Sequence, residues 1–152
     1  MTGSPAAAGY SGTPLPAKLG ITPGARVVLS GAPPDAQALL EELPEGVRLS
    51  RRLAGAVDVI VLFAQRRADL ARRLPGAQAA MRPEGGLWVA WPKRASGVPT
   101  DLTEDVIREM ALAAGLVDNK VCAIDATWSG LRLVVRVRDR PARGALQAQE
   151  TR

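Results

Sequence analysis

The stretch VDVIVLFA, residues 57–64, decides the fold. It is β-branched and apolar, broken only by Asp58 near its start. It is too short for a buried helix and carries no polar alternation, so it reads as a strand covered on both faces. Upstream, TPGARVVLSGAPPD reads as turn, strand, loop: Pro23-Gly24 turns the chain, and Val27, Val28 and Leu29 are consecutive and apolar. Between the two strands, DAQALLEEL predicts a helix, with Asp35 as cap and Ala36, Leu39, Leu40 and Leu43 at helical spacing. Pro44-Glu45-Gly46 ends it, and VRLSRRL (Val47–Leu53) alternates like an edge strand.

Downstream, an arginine-rich helical segment spans Gln65–Leu74, with a second piece around Gln78–Met81. Pro83-Glu84-Gly85-Gly86 turns the chain into LWVAW (Leu87–Trp91), another buried strand. Thr100–Gly115 predicts a helix. Asp101 with Glu104 three residues on resembles a capping box, Val106, Ile107, Met110, Ala111 and Ala114 form the apolar stripe, and Gly115 is the stop. LVDNKVCAID and LRLVVRV, joined by Ala126–Gly130, predict an antiparallel hairpin. LPAKLGI (Leu15–Ile21) suits one short helical turn. This order specifies α/β architecture: a three-layer Rossmann-like sandwich whose mostly parallel sheet ends in an antiparallel hairpin. The expected organisation is a flexible leader over 1–12, one domain over 13–138 and a disordered tail over 139–152.

Composition narrows the chemistry. The 152 residues contain no histidine and one cysteine, Cys122. A histidine-based triad is therefore impossible within the chain, a zinc site is not expected, and no intrachain disulfide can form. Cys122 sits among apolar neighbours in a predicted strand, so it reads as an inert buried thiol. No apolar run approaches a membrane span, and the N-terminus lacks the charge and apolar core of a signal peptide, so a cytoplasmic location with no membrane partner is expected. Net charge is +5, mostly from arginine in an Ala/Gly/Pro-rich chain of the kind GC-rich coding produces. No helix-turn-helix, zinc finger or aromatic RNA-binding motif accompanies it, so nucleic acid is not an expected partner.

Open α/β sheets bind ligands beyond the carboxyl ends of their strands. The residues this rule selects are Ser30 and Gly31 after the first strand, and Phe63, Ala64 and Gln65 after the third. Trp91, Lys93 and Arg94 follow the fourth, with Ser96, Gly97, Thr100 and Asp101 as a flexible rim. Trp128, in the hairpin loop, can join them. Lys93 and Arg94 beside a helix N-terminus point to a small anionic ligand. The competing reading makes the two cations solvated loop charges, Asp101 only a cap, and the tryptophans core. Asp58 and Asp125 have no reason to meet as a carboxylate pair.

The stretches LGITPGARVVLSGAP, VDVIVLFA, RPEGGLWVAWPK and AGLVDNKVCAID with SGLRLVVRV resemble the S-adenosylmethionine (SAM)-dependent methyltransferase fold over most of residues 15–138. More closely, GYSGTPLPAKLGI, WPKRASGVPTDLTED and GLVDNKVCAIDATWSGLRLV resemble an actinobacterial family of unknown function, DUF3052, over residues 9–138. Where that family reads Asp-Glu-Thr-Trp, this chain has Asp125-Ala126-Thr127-Trp128. The first resemblance implies a Gly-x-Gly turn after the first strand and an acid ending the second, for the cofactor. Here the turn is Ser30-Gly31-Ala32-Pro33-Pro34 and the second strand ends Leu49-Ser50-Arg51-Arg52. A hydrogen bond to a charged group contributes about 1.5–3 kcal/mol, so losing the acid weakens cofactor affinity roughly 10- to 100-fold. One strand–helix unit of that fold is also missing. The resulting expectation is a non-catalytic ligand-binding or regulatory interaction module. It would have no catalytic residue, no metal and no cofactor, with SAM disfavoured. Its partner would be a small anionic ligand or a protein. The alternative is a divergent SAM-dependent methyltransferase.

Overall fold

A computed structural model describes residues 13–140. The leader, and residues 141–152 of the expected tail, lie outside the described residues. The elements are α1 (Leu15–Lys18), β1 (Arg26–Ser30), a 3-10 turn (Ala36–Leu40), β2 (Arg48–Ser50), β3 (Val57–Phe63), α2 (Arg67–Ala80), β4 (Met81–Pro92), α3 (Glu104–Ala113), β5 (Leu116–Ala123) and β6 (Trp128–Val135). Short 3-10 turns follow β4 and β6. The second spans Val137–Asp139, and Arg140 Nε donates to the Val135 carbonyl at 3.0 Å.

One six-stranded sheet runs β2-β1-β3-β4-β6-β5. β1 to β4 are parallel, and β6 and β5 close it antiparallel. The chain leaves β1 for β2 on one side and returns across it to β3, so the topological switch lies between the carboxyl ends of β1 and β3.

Alternation along the strands divides the core. On one face Val28, Ile60, Leu62, Leu87, Val89, Leu131 and Leu133 pack under α2 (Leu70, Leu74, Ala77) and α3 (Ile107, Ala111). On the other, Val27, Leu29, Val59, Val61, Phe63, Trp88 and Ala90 are covered by Leu19, Ile21, Ala36 and Leu40. That layer is thin because the helix expected from Asp35 is only a five-residue 3-10 turn, and Asp35 makes no capping bond. Pro33 and Pro34 remove two amide donors where a helix would nucleate. The bonds that form, Ala36 N–H to Pro33 and Ala38 N–H to Asp35, have the tighter i→i+3 spacing.

α2 is also one helix, not two pieces. It runs through Pro75 because Leu74 and Ala77, on either side, are both buried. Gln78 Nε2 further anchors it by donating to the Ala114 carbonyl at 2.8 Å. β4 begins at Met81, ahead of the expected turn, and its pairing with β3 is irregular between Val57 and Val59.

Trp88 fixes the thin layer to the sheet. It is fully buried, and its Nε1–H donates to the Leu19 carbonyl at 3.0 Å. Trp88→Phe keeps most of the apolar contact but leaves that buried carbonyl without its donor. Urea denaturation is expected to show a loss of about 1–3 kcal/mol, against about 3–5 kcal/mol for Trp88→Ala.

Candidate functional site

The sequence-predicted residues separate into two neighbouring regions. The first is the switch point. Gly31 turns the chain at φ +66°. Arg73, projecting from α2, fills the space beside it. Its Nη1 donates to the Phe63 carbonyl (2.8 Å) and to Asp69 Oδ2 (2.6 Å), and its Nη2 donates to Ser30 Oγ (3.1 Å). A Cβ on Gly31 would collide with Arg73 Nη2, so glycine is required here by space as well as by φ. Asp69 also bonds Arg72. Burial pushes the Asp69 carboxyl up, but the hydrogen bonds and charges of Arg73 and Arg72 outweigh it and hold the group below its ordinary value.

Beyond β2, Arg51 extends both guanidinium nitrogens to the Ala32 and Pro33 carbonyls, at 3.4 Å each, and so bridges the loop that follows β1. At this crevice a guanidinium fills the turn after β1, Pro33 and Pro34 follow that turn, and the cation of Arg51 follows β2.

The second region is the loop from Lys93 to Thr103. The expected flexible rim is a hydrogen-bonded strap. The Lys93 amide donates to the Thr127 carbonyl (2.7 Å), and the Lys93 carbonyl accepts from the Ser96 amide (3.0 Å) and Ser96 Oγ (2.6 Å). Ser96 Oγ accepts from the Val98 amide at 3.2 Å. Gln65 Nε2 donates to the Pro99 carbonyl (2.8 Å), and Thr100 Oγ1 donates to the Gln65 carbonyl (2.6 Å). Asp101 does not cap its own helix. Its Oδ1 accepts from the amide of Arg67, the first residue of α2, at 2.7 Å. The N-cap of α3 is Thr103, whose Oγ1 accepts from the Val106 amide at 3.1 Å. A carboxylate at a helix N-terminus stabilises whichever helix it reaches, and the strap brings Asp101 to α2.

Between the strap and the start of α3 lies an open cleft of about 420 Å³. Trp91, Val98 and Leu102 give it apolar walls, and Arg94, Thr100 and Glu104 polar ones. Glu104 is bonded to Arg108 at 2.5 Å, whereas the exposed Arg94 side chain makes no hydrogen bond or ion pair with a described residue.

Of the sequence-predicted residues, Trp91, Arg94, Gly97 and Thr100 therefore meet in the cleft. Lys93 does not line it, and Gln65, Ser96 and Asp101 build its strap. Ser30 and Gly31 belong to the filled crevice. Trp128 lies across the sheet against Phe63, edge-on at 5.1 Å and 86°, on the face that holds Phe63 and Trp88. Arg73 and Thr103 are not singled out by the sequence, and Glu104 only as the far end of the expected capping box. Only the Asp69/Arg73 spacing of four residues signals either of the first two, and it signals a helix pair rather than a reach to Ser30.

Asp125 Oδ1 accepts from the Thr127 and Trp128 amides and so shapes the hairpin turn. Asp58, at the other end of the sheet, bonds the Arg26 amide and Arg82. Cys122 is half-buried, and burial raises its thiol, with Lys18 and Lys120 partly offsetting the rise. Among the described residues no three His, Cys, Asp or Glu side chains group as metal ligands, and no helix is long and apolar enough to cross a membrane.

Because Asp69 is depressed on folding, its contribution to stability is present above its unfolded value near pH 4 and is lost as pH falls through the lower folded value. Thermal melts of Asp69→Asn are expected to lie below wild type at neutral pH and to converge with it in acid. Asp101→Ala is expected to cost about 1 kcal/mol, as a lost cap does, measured by chemical denaturation.

Known structures share this fold. Magnesium protoporphyrin IX methyltransferase from Synechocystis PCC 6803, with bound SAM, is similar at TM-score 0.52 and 10% identity, over 80% of this chain and 74% of that one. The N-methyltransferase NodS from Bradyrhizobium japonicum WM9 is similar at TM-score 0.50 and 14% identity, over 72% and 84%. The mitomycin 7-O-methyltransferase MmcR is similar at TM-score 0.51 and 15% identity, over 74% of this chain but only 49% of that protein's length. At such identities the likeness establishes a methyltransferase-like Rossmann fold. No curated protein matches the chain. The match of a family model to residues 18–137 places the chain in the family described as "Protein of unknown function (DUF3052)".

Proposed function

We propose that this protein is a non-catalytic ligand-binding module, in which a small anionic molecule occupies the cleft at the end of β4 and methyl transfer does not occur. The observation that carries this reading is Arg73. Its guanidinium holds Ser30 and Phe63 together at the switch point, the place where doubly wound folds receive their ligand. With that crevice filled, the cleft beneath the strap offers a concave site among the described residues. Its volume lies within the ordinary range for small-molecule sites. The apolar walls accept a flat or aliphatic body. Arg94, with no acid partner of its own, supplies the charge that recognises a carboxylate or phosphate group. A regulatory role would follow from occupancy, since a ligand there alters the rim a protein partner meets.

The methyltransferase reading has one observation in its favour, the structural likeness to an enzyme holding SAM. It requires Arg73 to leave three partners.

Calorimetric titration separates the two. With SAM or S-adenosylhomocysteine no heat of binding is expected up to millimolar concentration. The amphipathic aryl sulfonate 1-anilinonaphthalene-8-sulfonate, used as a probe of the cleft, is expected to bind the native protein and to bind Arg94→Ala roughly 10- to 100-fold more weakly. Arg94→Ala itself is expected to change stability by less than about 0.5 kcal/mol. Micromolar binding of SAM would overturn the proposal in favour of the enzyme. Equal probe binding by Arg94→Ala would overturn the assignment of the cleft.

A further inference from the structure

A second cationic feature lies on the opposite face of the sheet from the cleft. Arg132 in β6 stands directly across from Lys120 in β5 and from the buried Trp88 in β4. Residues so paired project from the same face, and Trp88 identifies that face as the thin-layer one. Two cations opposite each other across an antiparallel pair repel, a destabilising arrangement without a counter-charge. None is supplied by the described residues. Lys120 Nζ donates to the Lys18 carbonyl at 3.2 Å, a neutral partner. The half-buried Arg132 makes neither a hydrogen bond nor an ion pair with any described residue. Asp118, the acid nearest in β5, is bonded to Arg108 at 3.2 Å, and Glu84, in β4, makes no ion pair.

Arg132 also has a place prepared for it. It lies flat against Gly86, in the interior of β4. A Cβ there would come within 2.6 Å of Arg132 Nε and 2.9 Å of its Nη2. Glycine inside a strand weakens it and is kept where another group approaches closely. Here it admits the guanidinium to the sheet surface. Burial first, and the charge of Arg140 second, both disfavour the charged form of Arg132. A guanidinium does not give up its proton at any ordinary pH. The remaining way to relieve the site is an anion.

We propose that Arg132, lying on the glycine floor of β4, and Lys120, its partner in β5, form an oxyanion-binding site that takes a phosphate or carboxylate group. Arg132 offers a planar fork of donors to two oxygens of such a group, and Lys120 adds a point charge from the neighbouring strand. The site does not depend on the cleft: it lies on the other face and uses other residues.

The test is thermal denaturation of the full chain at fixed ionic strength, with inorganic phosphate, acetate or chloride as the anion. Millimolar phosphate is expected to raise the melting temperature by roughly 3–5 °C over chloride. Acetate is expected to raise it less, since it has fewer oxygens to engage. Arg132→Gln and Lys120→Gln are each expected to remove most of the rise, and Arg94→Ala to retain it. In chloride, Arg132→Gln is expected to melt at or above the wild-type temperature, because an unpaired, partly desolvated cation has been removed. An equal phosphate shift in Arg132→Gln, or no wild-type shift beyond chloride, would overturn the site. A shift lost only in Arg94→Ala would assign the phosphate to the cleft and overturn it equally. If Arg132→Gln unfolds, Lys120→Gln, whose side chain is exposed, carries the same decision.

Discussion

The three-way bond of Arg73 sets the character of the molecule. A doubly wound sheet opens between two parallel strands at its switch point, leaving strand-end carbonyls and a loop turn unmatched. In this chain a side chain closes that opening. Arg73 reaches from the second turn of α2 to the carbonyl ending β3 and the hydroxyl ending β1, while Asp69, one turn earlier, holds its other edge. Helix, both strands and the Gly31 turn are thereby fixed to one another at a single partly buried charge. A guanidinium with carboxylate, carbonyl and hydroxyl partners is nearly satisfied, and that is the condition under which a partly buried cation is tolerated. The crevice becomes part of the scaffold, and concave space has to be found elsewhere.

It is found one strand further along, and the same logic builds it. After β4 the chain cannot enter α3 directly, because the strap must first cross the start of α2. Each crossing contact serves two elements: Thr100 bonds the Gln65 carbonyl while its hydroxyl also accepts from the Leu102 amide, and Asp101 caps α2. The strap stands off α3 because Thr103, not Asp101, begins that helix, and the cleft is the space this leaves. A cleft whose wall is hydrogen-bonded to the neighbouring helix is pre-formed, which lowers the ordering cost of binding.

Much of this was legible in the sequence, and the legible part has a common physics. β1, β3 and the end of β4 declare themselves because strands buried on both faces must be uninterrupted in apolar residues. α3 declares itself because one of its faces is buried and the other is not. The misreadings also share a cause. Asp101 and Thr103 are both good caps, and choosing between them requires knowing that Arg67 lies within reach, a contact spanning thirty-four residues. The helix after Asp35 fails because Pro33-Pro34 outweighs a sound apolar spacing. Arg73 looks like half of a helical ion pair, and nothing local indicates that its other nitrogen serves a hydroxyl forty-three residues away. Strand and helix identity is encoded locally, whereas the site is made of long-range polar bonds, which leave no period in the sequence.

The arginine excess takes on a different meaning in this light. As bare composition it suggests a polyanionic partner. In the folded chain several arginines are committed to carbonyls at strand ends and loops: Arg26 to Ala54, Arg51 to Ala32 and Pro33, Arg73 to Phe63, Arg140 to Val135. The guanidinium suits this work because its fork spans two carbonyls and its charge does not vary with pH. Cations used this way are engaged within the fold. The side chains of Arg94, at the cleft, and Arg132, on the opposite face, stand apart from this set: neither bonds a described residue.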